Sequence, residues 1–392
     1  MRGHIVKRYK NSYTIVLNLG IDPATGKRKQ QWVSVKGTKK EAEQRLSDLL
    51  HQLDTGTFMK PGKTTLASFM DRWLADSVFP NLAPRTAEVY EYITRVHLVP
   101  ALGHVPLTQL KPAAIQKYYS EKLAHGRRDG KGGLSAKSVR HHHMTLHCAL
   151  ETAVKWGLLQ RNPADSVQPP HAEKAEMKIW EEDEIKRFLE STKDSSYYPL
   201  FFLSLFTGLR RSELLAIRWQ DVDFIYCQLY ISRSIHQLRN GRFVYKSTKS
   251  ARGNRPVALS PATLDVLRKH HTSREAQCLL LGGTLLDSEL VFCHVDGSPL
   301  VPDTVSAAWG RAIHQSGLKV IRFHDARHSH ASLLLKQGVH PKVVQERLGH
   351  SSIQVTLDTY SHVVPGMQQM AASRLDDIFK TSANGQASQK IG

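Results

Sequence analysis

Between Tyr197 and Thr207 the chain reads YYPLFFLSLFT, apolar nearly all round, and Gly208 follows at once. A helix without a polar face has to be surrounded by other elements, so a packed, layered domain must be built around this one. The run is the longest apolar stretch in the chain, yet it is far shorter than the roughly 20 residues a membrane-spanning helix needs. It therefore predicts a core rather than a membrane segment. Arg210 comes directly after the glycine stop, at the mouth of the buried helix. Ser212 then caps SELLAIRW, where Glu213 is placed to brace Arg210 or a histidine further on.

A second informative stretch runs from Arg322 to Val364. HDARHSHASLLLKQG has apolar Ala326, Leu333, Leu334 and Leu335 and ends at Gly338, the pattern of a helix with a glycine C-cap. His324 and Arg327 lie three apart at its start and share a face. PKVVQERLG offers Pro341 for a first helical turn and Gly349 for a stop, which leaves His350 at a helix end, exposed to whatever lies nearby. SSIQVTLDTY then carries Thr356 and Tyr360 one helical turn apart. Any one of these residues alone reads as an ordinary surface or core residue. His324, Arg327, His350 and Tyr360 together, in this order and spacing, do not.

The pattern resembles the tyrosine recombinase (phage integrase) family, whose motifs are a His-x-x-Arg pair, a Leu-Gly-His box and a nucleophilic tyrosine about ten residues beyond it. They stand here as HDAR, LGH and TLDTYSHV. The family's upstream arginine matches Arg210 in TGLRRSELLAIRW. Its hairpin lysine matches Lys249 in TKSARGNRPVAL, with Lys246 as the rival. The resemblance covers residues 175 to 380. It implies a catalytic set of Arg210, Lys249, His324, Arg327, His350 and the nucleophile Tyr360, working without metal, ATP or other cofactor.

The residue types suit that chemistry. Transfer of a phosphodiester to a protein hydroxyl passes through a five-coordinate phosphorus whose non-bridging oxygens gain charge. Two guanidinium groups, Arg210 and Arg327, can clamp those oxygens while staying protonated. His324 and His350 can donate hydrogen bonds to the same phosphate or help deprotonate the phenol. Tyr360, with an ordinary pKa near 10, needs such help to attack. Lys249 can protonate the departing 5′ oxygen. No carboxylate cluster is set for two metals, and no Walker-type loop is present.

Charge points to the same partner. The 392 residues carry 54 Lys+Arg against 35 Asp+Glu, a formal net charge of +19, which argues for a polyanion. The N-terminus lacks a signal-peptide core, so a cytoplasmic protein is expected. Four scattered cysteines give neither a disulfide framework nor a zinc spacing.

The length fits two or three domains, and the chain reads as three, mainly α with small β-sheets (α+β). Residues 1–60 alternate apolar and polar in HIVKRY, YTIVLNLG and QQWVSV. That pattern predicts a three-stranded antiparallel sheet, covered on one side by a helix from Thr38 with Ala42, Leu46, Leu49, Leu50 and Leu53 on one face. Residues 1–62 hold 12 Lys+Arg against 5 Asp+Glu. A DNA-binding sheet is expected, and the resemblance implies that it binds arm-type sites distant from the crossover. KPGKTT reads as the linker. Residues 64–169 carry four helical patterns, starting at Thr64, Pro84, Pro112 and Ser135, and resemble the family's core-binding (SAM-like) domain. Within them HHHMTLH sets His143 and His147 four apart, but no carboxylate or cysteine completes a metal site. These histidines and Arg140 are expected along the DNA backbone or in solvent. Residues 175–380 form the mixed catalytic domain, with strands QLYISRS, RFVYKS and NRPVALS and a hairpin turn at Asn240-Gly241. An amphipathic helix follows Tyr360, and 381–392 is expected to be a disordered tail.

What the resemblance implies for the whole protein is a site-specific recombinase of a phage or integrative conjugative element. It would bind double-stranded DNA at core and arm-type attachment sites and act as a homotetramer through a 3′-phosphotyrosyl link. An excisionase and a host DNA-bending protein stay open as partners, and no membrane is involved. Two other readings stand beside it: a type IB topoisomerase, and a DNA-binding architectural protein with a dead active site.

Overall fold

The computed structural model describes residues 3–21, 26, 28–54, 64–173, 177–247, 254–360, 373 and 376. The chain divides into two compact units, Met1–Lys174 and Ala175–Gly392. Both are built as expected from helices and small antiparallel sheets.

The first unit opens with a three-stranded meander of β1 (Gly3–Tyr9), β2 (Ser12–Ile21) and β3 (Arg28–Lys36). Register pairs Ile5 with Ile15 and Ile15 with Val33, so one apolar stripe runs across all three strands. Helix α1 (Lys39–Asp54) lies on that stripe, with Leu46, Leu49, Leu50 and Leu53 packed against Ile15 and Leu17. Thr38 and Glu41 cap it reciprocally: the Glu41 carboxylate accepts from the Thr38 amide, and the Thr38 hydroxyl accepts from the Glu41 amide. Because side chains alternate along a strand, the opposite face shows Trp32, Ser34 and Lys36, with the Arg8 guanidinium 5.6 Å from the Trp32 ring.

The helical part follows with α2 (Leu66–Trp73), α3 (Pro84–Ile93), α4 (Pro112–His125) and α5 (Ala136–Lys155) around one core that includes Phe69, Trp73, Tyr118 and Leu146. Thr65, rather than Thr64, caps α2. Wide π turns at Leu74–Val78 and Thr94–Leu98 extend α2 and α3, each just ahead of a proline, Pro80 and Pro100. A proline has no N–H and crowds the preceding turn; bonds spanning five residues let the chain pass it while still helical.

The expected placement of the histidine run needs correction. His142 is buried in the core, its Nδ1 2.9 Å from the Tyr118 hydroxyl, and Nδ1 of the half-buried His143 is 2.8 Å from that of Tyr119. A helix turns about 100° per residue, so consecutive histidines cannot all face outward. His147 bonds Asp165 at 2.8 Å.

The second unit packs α6 (Glu182–Ser191), α7 (Tyr198–Thr207), α9 (Pro261–Leu280), α10 (Pro302–Ser316) and α11 (Asp325–Lys336) about an aromatic centre. Short helices α8 (Arg211–Leu214), α12 (Pro341–Leu348) and α13 (Ile353–Tyr360) carry the motifs. Seven residues of α7 are buried, and Gly208 ends it in the left-handed region at φ 64°. A side chain there would strike His330, 2.6 Å from a Cβ, so the stop has to be glycine. The strand QLYISRS breaks at Ser232. β5 (Gln228–Ile231) joins β4 (Val222–Asp223) and β8 (Arg255–Ala258), while β6 (Arg233–Gln237) pairs with β7 (Phe243–Ser247) in a second sheet. The β6–β7 hairpin turns through Asn240-Gly241, with Gly241 at φ 84°.

Residues 248–253, which include Lys249, lie outside the described residues, as do the 55–63 stretch, most of the helix expected after Tyr360 and the tail from 381.

Trp309 is the keystone of the aromatic centre, with ring centroids 4.6 Å from Phe188, 5.2 Å from Phe201 and Phe323 and 5.3 Å from Trp180. Its indole N–H donates to the Ile321 carbonyl at 3.0 Å. Trp309→Ala is expected to cost the second unit about 3–5 kcal/mol, read as a lower urea midpoint; a midpoint unchanged from wild type would show that the centre does not carry this unit.

Candidate active site

The site grows from three helix ends. α7 ends at Gly208 and α12 at Gly349, both left-handed, and each leaves carbonyls without partners inside its own helix. α11 starts beside them. Arg327, only 2 % exposed, spans the gap: its guanidinium donates to the Gly208 carbonyl at 2.9 Å and to the Leu348 carbonyl at 2.7 Å. Arg210 donates to the next carbonyl, Gly349, at 3.2 Å. The two arginines thus meet at one helix C-terminus, whose dipole favours cations. Burial, and then the charge of Arg210, bring the Arg327 pKa down to about 9, so it is still a cation near neutral pH.

Glu213 holds this pair of charges together. It is buried between Arg210 at 2.7 Å and Arg255 at 3.0 Å. Burial alone would raise its pKa, but the two guanidiniums, Arg255 first, hold it below the usual carboxylate range. Of the two roles open to Glu213, it braces the arginine. Arg255 also donates to the Arg347 carbonyl at 2.8 Å. It lies so close to Gly349 that a Cβ there would stand 2.7 Å from its Nη1. Arg347 in turn donates to Nε2 of His330 at 3.1 Å, and His330 Nδ1 sits 2.9 Å from the Leu205 carbonyl. A carbonyl only accepts, so Nδ1 carries the proton and Nε2 is the acceptor. Burial fixes this neutral form, with a pKa near 3.

Tyr360 is buried, its hydroxyl 2.8 Å from Nδ1 of His328. Burial pushes its pKa up to about 12. His328 is held neutral, at about 4, first by burial and then by the charge of His324. His350 is not exposed at its helix end as the motif alone suggested. It is half-buried, with Nδ1 2.8 Å from the Thr356 hydroxyl and its ring nearly parallel to Tyr360 at 6.5 Å. Burial and Arg327 hold its pKa at about 4. His324 stands at the N-cap position of α11 without a side-chain capping bond, its ring edge-on to His328 at 5.2 Å, and desolvation followed by the charge of Arg327 lowers its pKa.

Five of the six expected residues therefore gather in one place: Arg210, His324, Arg327, His350 and Tyr360. Lys249 lies outside the described residues; its rival Lys246 is exposed on β7 opposite Ser234. The motifs alone did not point to His328, Arg255 or the His330–Arg347 pair. His328 had a signal, since it stands one turn after His324 on the same helix face. Arg255 had none: its partner Glu213 is 42 residues away. Among the described residues no group of three or more His, Cys, Asp or Glu side chains could hold a metal ion, and no helix is long and apolar enough to cross a membrane.

Two cations at a helix end, histidines held toward the neutral form and a buried phenol stand together, an arrangement that can take a tetrahedral anion beside a hydroxyl group. Residues 178–366 match the phage integrase family and residues 65–123 its N-terminal SAM-like domain. The ICEBs1 integrase of Bacillus subtilis (strain 168) is 30% identical over 377 residues, covering 95% of this chain and all of that protein. Among solved structures, the Tn1549 transposon integrase in complex with a circular intermediate DNA aligns with TM-score 0.66 and 20% identity. That alignment covers 80% of this chain and 100% of the other. A lambda integrase tetramer bound to a Holliday junction aligns with TM-score 0.56 and 21% identity, over 91% of this chain and 94% of the other. The chain belongs to the phage integrase family, the tyrosine-type site-specific DNA recombinases.

Proposed function

We propose that the protein cuts and rejoins DNA at specific attachment sites through a 3′-phosphotyrosyl link on Tyr360, integrating or excising a mobile element. The observation that carries this is the convergence of Arg210 and Arg327 at the Leu348–Gly349 carbonyls, in the same site as the buried hydroxyl of Tyr360. The carbonyl bonds orient the guanidiniums before DNA arrives, and their remaining N–H groups can donate to a scissile phosphate placed between them. The Tyr360 oxygen then attacks phosphorus, the bond to the 5′ oxygen breaks, and the link keeps the phosphodiester energy for rejoining.

The phenol proton has a defined destination. His328 is neutral, and with its proton on Nε2 the free Nδ1 accepts from the Tyr360 hydroxyl. His350 takes the same Nε2–H tautomer when Thr356 donates to its Nδ1, leaving that Nε2–H to offer a non-bridging oxygen. His324 is a second such donor. Lys249 is assigned the proton that the leaving 5′ oxygen needs, with Lys246 as the alternative.

The domain division follows the same reading. Residues 64–169 form the core-binding domain and 175–380 the catalytic domain. Residues 1–60 form an arm-type DNA-binding domain, whose open sheet face offers Arg8, Trp32 and Lys36. A basic chain of net charge +19 suits double-stranded DNA at both kinds of site. The lambda integrase tetramer on a Holliday junction supports four copies acting together, and a cytoplasmic protein is consistent with action on DNA.

Incubating the protein with a nicked duplex of the element's own ends should give a slow, protease-sensitive band on a denaturing gel, absent from Tyr360→Phe. A band in Tyr360→Phe would mean another nucleophile, whereas no band from wild type on bound ends would favour the architectural reading. Removing the proton acceptor in His328→Ala should slow adduct formation about 10²-fold or more with DNA affinity kept; an unchanged rate would assign the proton elsewhere. Deleting residues 1–60 should spare cleavage at core sites and impair integration. It should also flatten the slope of log binding constant against log salt by about 0.9 for each phosphate that the truncated protein no longer neutralises. Full integration by the truncated protein would remove the arm-binding role.

A further inference from the structure

Three arginines are buried among the described residues: Arg255, Arg274 and Arg327, at 7 %, 4 % and 2 % exposure. Arg255 has a carboxylate partner in Glu213. Arg327 has none among the described residues, and it lies where a DNA phosphate is proposed to bind. Arg274, on α9, also makes no ion pair with a described residue, and it lies elsewhere, on the wall of a cavity of about 670 Å³. Its Nη1 donates to the Gln277 side chain at 3.1 Å and its Nη2 to the Cys293 sulfur at 3.3 Å, while its Nε has no partner among the described residues. Both contacts are neutral. Burial raises the Cys293 pKa, so the thiol is no counter-ion.

A buried guanidinium with neutral neighbours and an unused N–H is a donor set waiting for an anion. The cavity around it fits that reading. Lys193 and Lys269 add positive charge to its wall, no described Asp or Glu lines it, and Phe292 and Leu300 supply apolar surface. Its size is that of a site for a small organic molecule.

We propose that this cavity binds a small organic anion, with a carboxylate or phosphate group on Arg274 and an apolar or aromatic body against Phe292. The site is separate from the one proposed for DNA, and its occupation does not depend on the recombinase reading.

Cys293 gives a local readout, because it touches Arg274 and no cysteine belongs to the DNA site. Iodoacetamide labelling of each cysteine in the full-length protein would be followed by peptide mass spectrometry at constant ionic strength. Phenyl phosphate or benzoate, at concentrations about ten times the dissociation constant, should slow Cys293 labelling about tenfold and leave the exposed Cys148 unaffected. Neutral phenol at the same concentration should do little. Inorganic phosphate should protect less than phenyl phosphate; equal protection would overturn the apolar half of the proposal. Within Arg274→Met the anions should no longer protect, while Arg274→Lys, which keeps the charge, should retain part of the effect. Unchanged labelling in the presence of either anion, or full protection in Arg274→Met, would overturn the site. Should Arg274→Met fail to fold, the phenol comparison and Arg274→Lys decide the matter.

Discussion

The guanidinium of Arg327 holds the second unit's chemistry in place. It is a buried cation to which no described carboxylate is bonded, held on two helix-end carbonyls, Gly208 and Leu348, that come from elements far apart in sequence. A guanidinium in that position stabilises two chain ends that would otherwise leave acceptors unpaired, and it keeps its charge directed at a single spot. Both helix ends need left-handed glycines, and both glycines sit against side chains of the same network, Gly208 against His330 and Gly349 against Arg255. Packing, hydrogen bonding and the orientation of charge are therefore one arrangement.

Around this cation, burial decides which groups are charged. His328, His330 and His350 are all pushed toward the neutral form, and the Tyr360 phenol is held protonated. Glu213 goes the other way, because two arginines outweigh its desolvation. The site at rest is thus a positive pocket with neutral histidines and one protonated phenol. Such a pocket attracts an anion such as a phosphate.

The first unit satisfies its polar groups in the same way in another setting. Its helical core contains His142 and Tyr118 in contact, each satisfying the other, with the His142 pKa held near 3 by burial. A run of three histidines looks like a surface or a ligand set when read as a string. On a helix it is split between core, boundary and solvent. The sheet in this unit uses its alternation more simply, with one face under α1 and the other open with Arg8, Trp32 and Lys36.

Much of this was legible from the sequence. Glycine stops, proline starts, the period-two pattern of the N-terminal strands and the all-apolar 197–207 run depend on local backbone and side-chain rules. Those rules are written into a few consecutive residues, so they gave the elements and their order, while the resemblance to the tyrosine recombinase family singled out Arg210, His324, Arg327, His350 and Tyr360. Tertiary structure alone decided the rest: that Glu213 serves Arg210 and Arg255, that His328 rather than a motif histidine touches the Tyr360 hydroxyl, and that His142 is core. It also decided that Arg274 is buried without a counter-ion among the described residues. Each of these depends on which distant surfaces meet and how much water they exclude. Burial and long-range pairing are properties of the packed chain, and no local pattern encodes them.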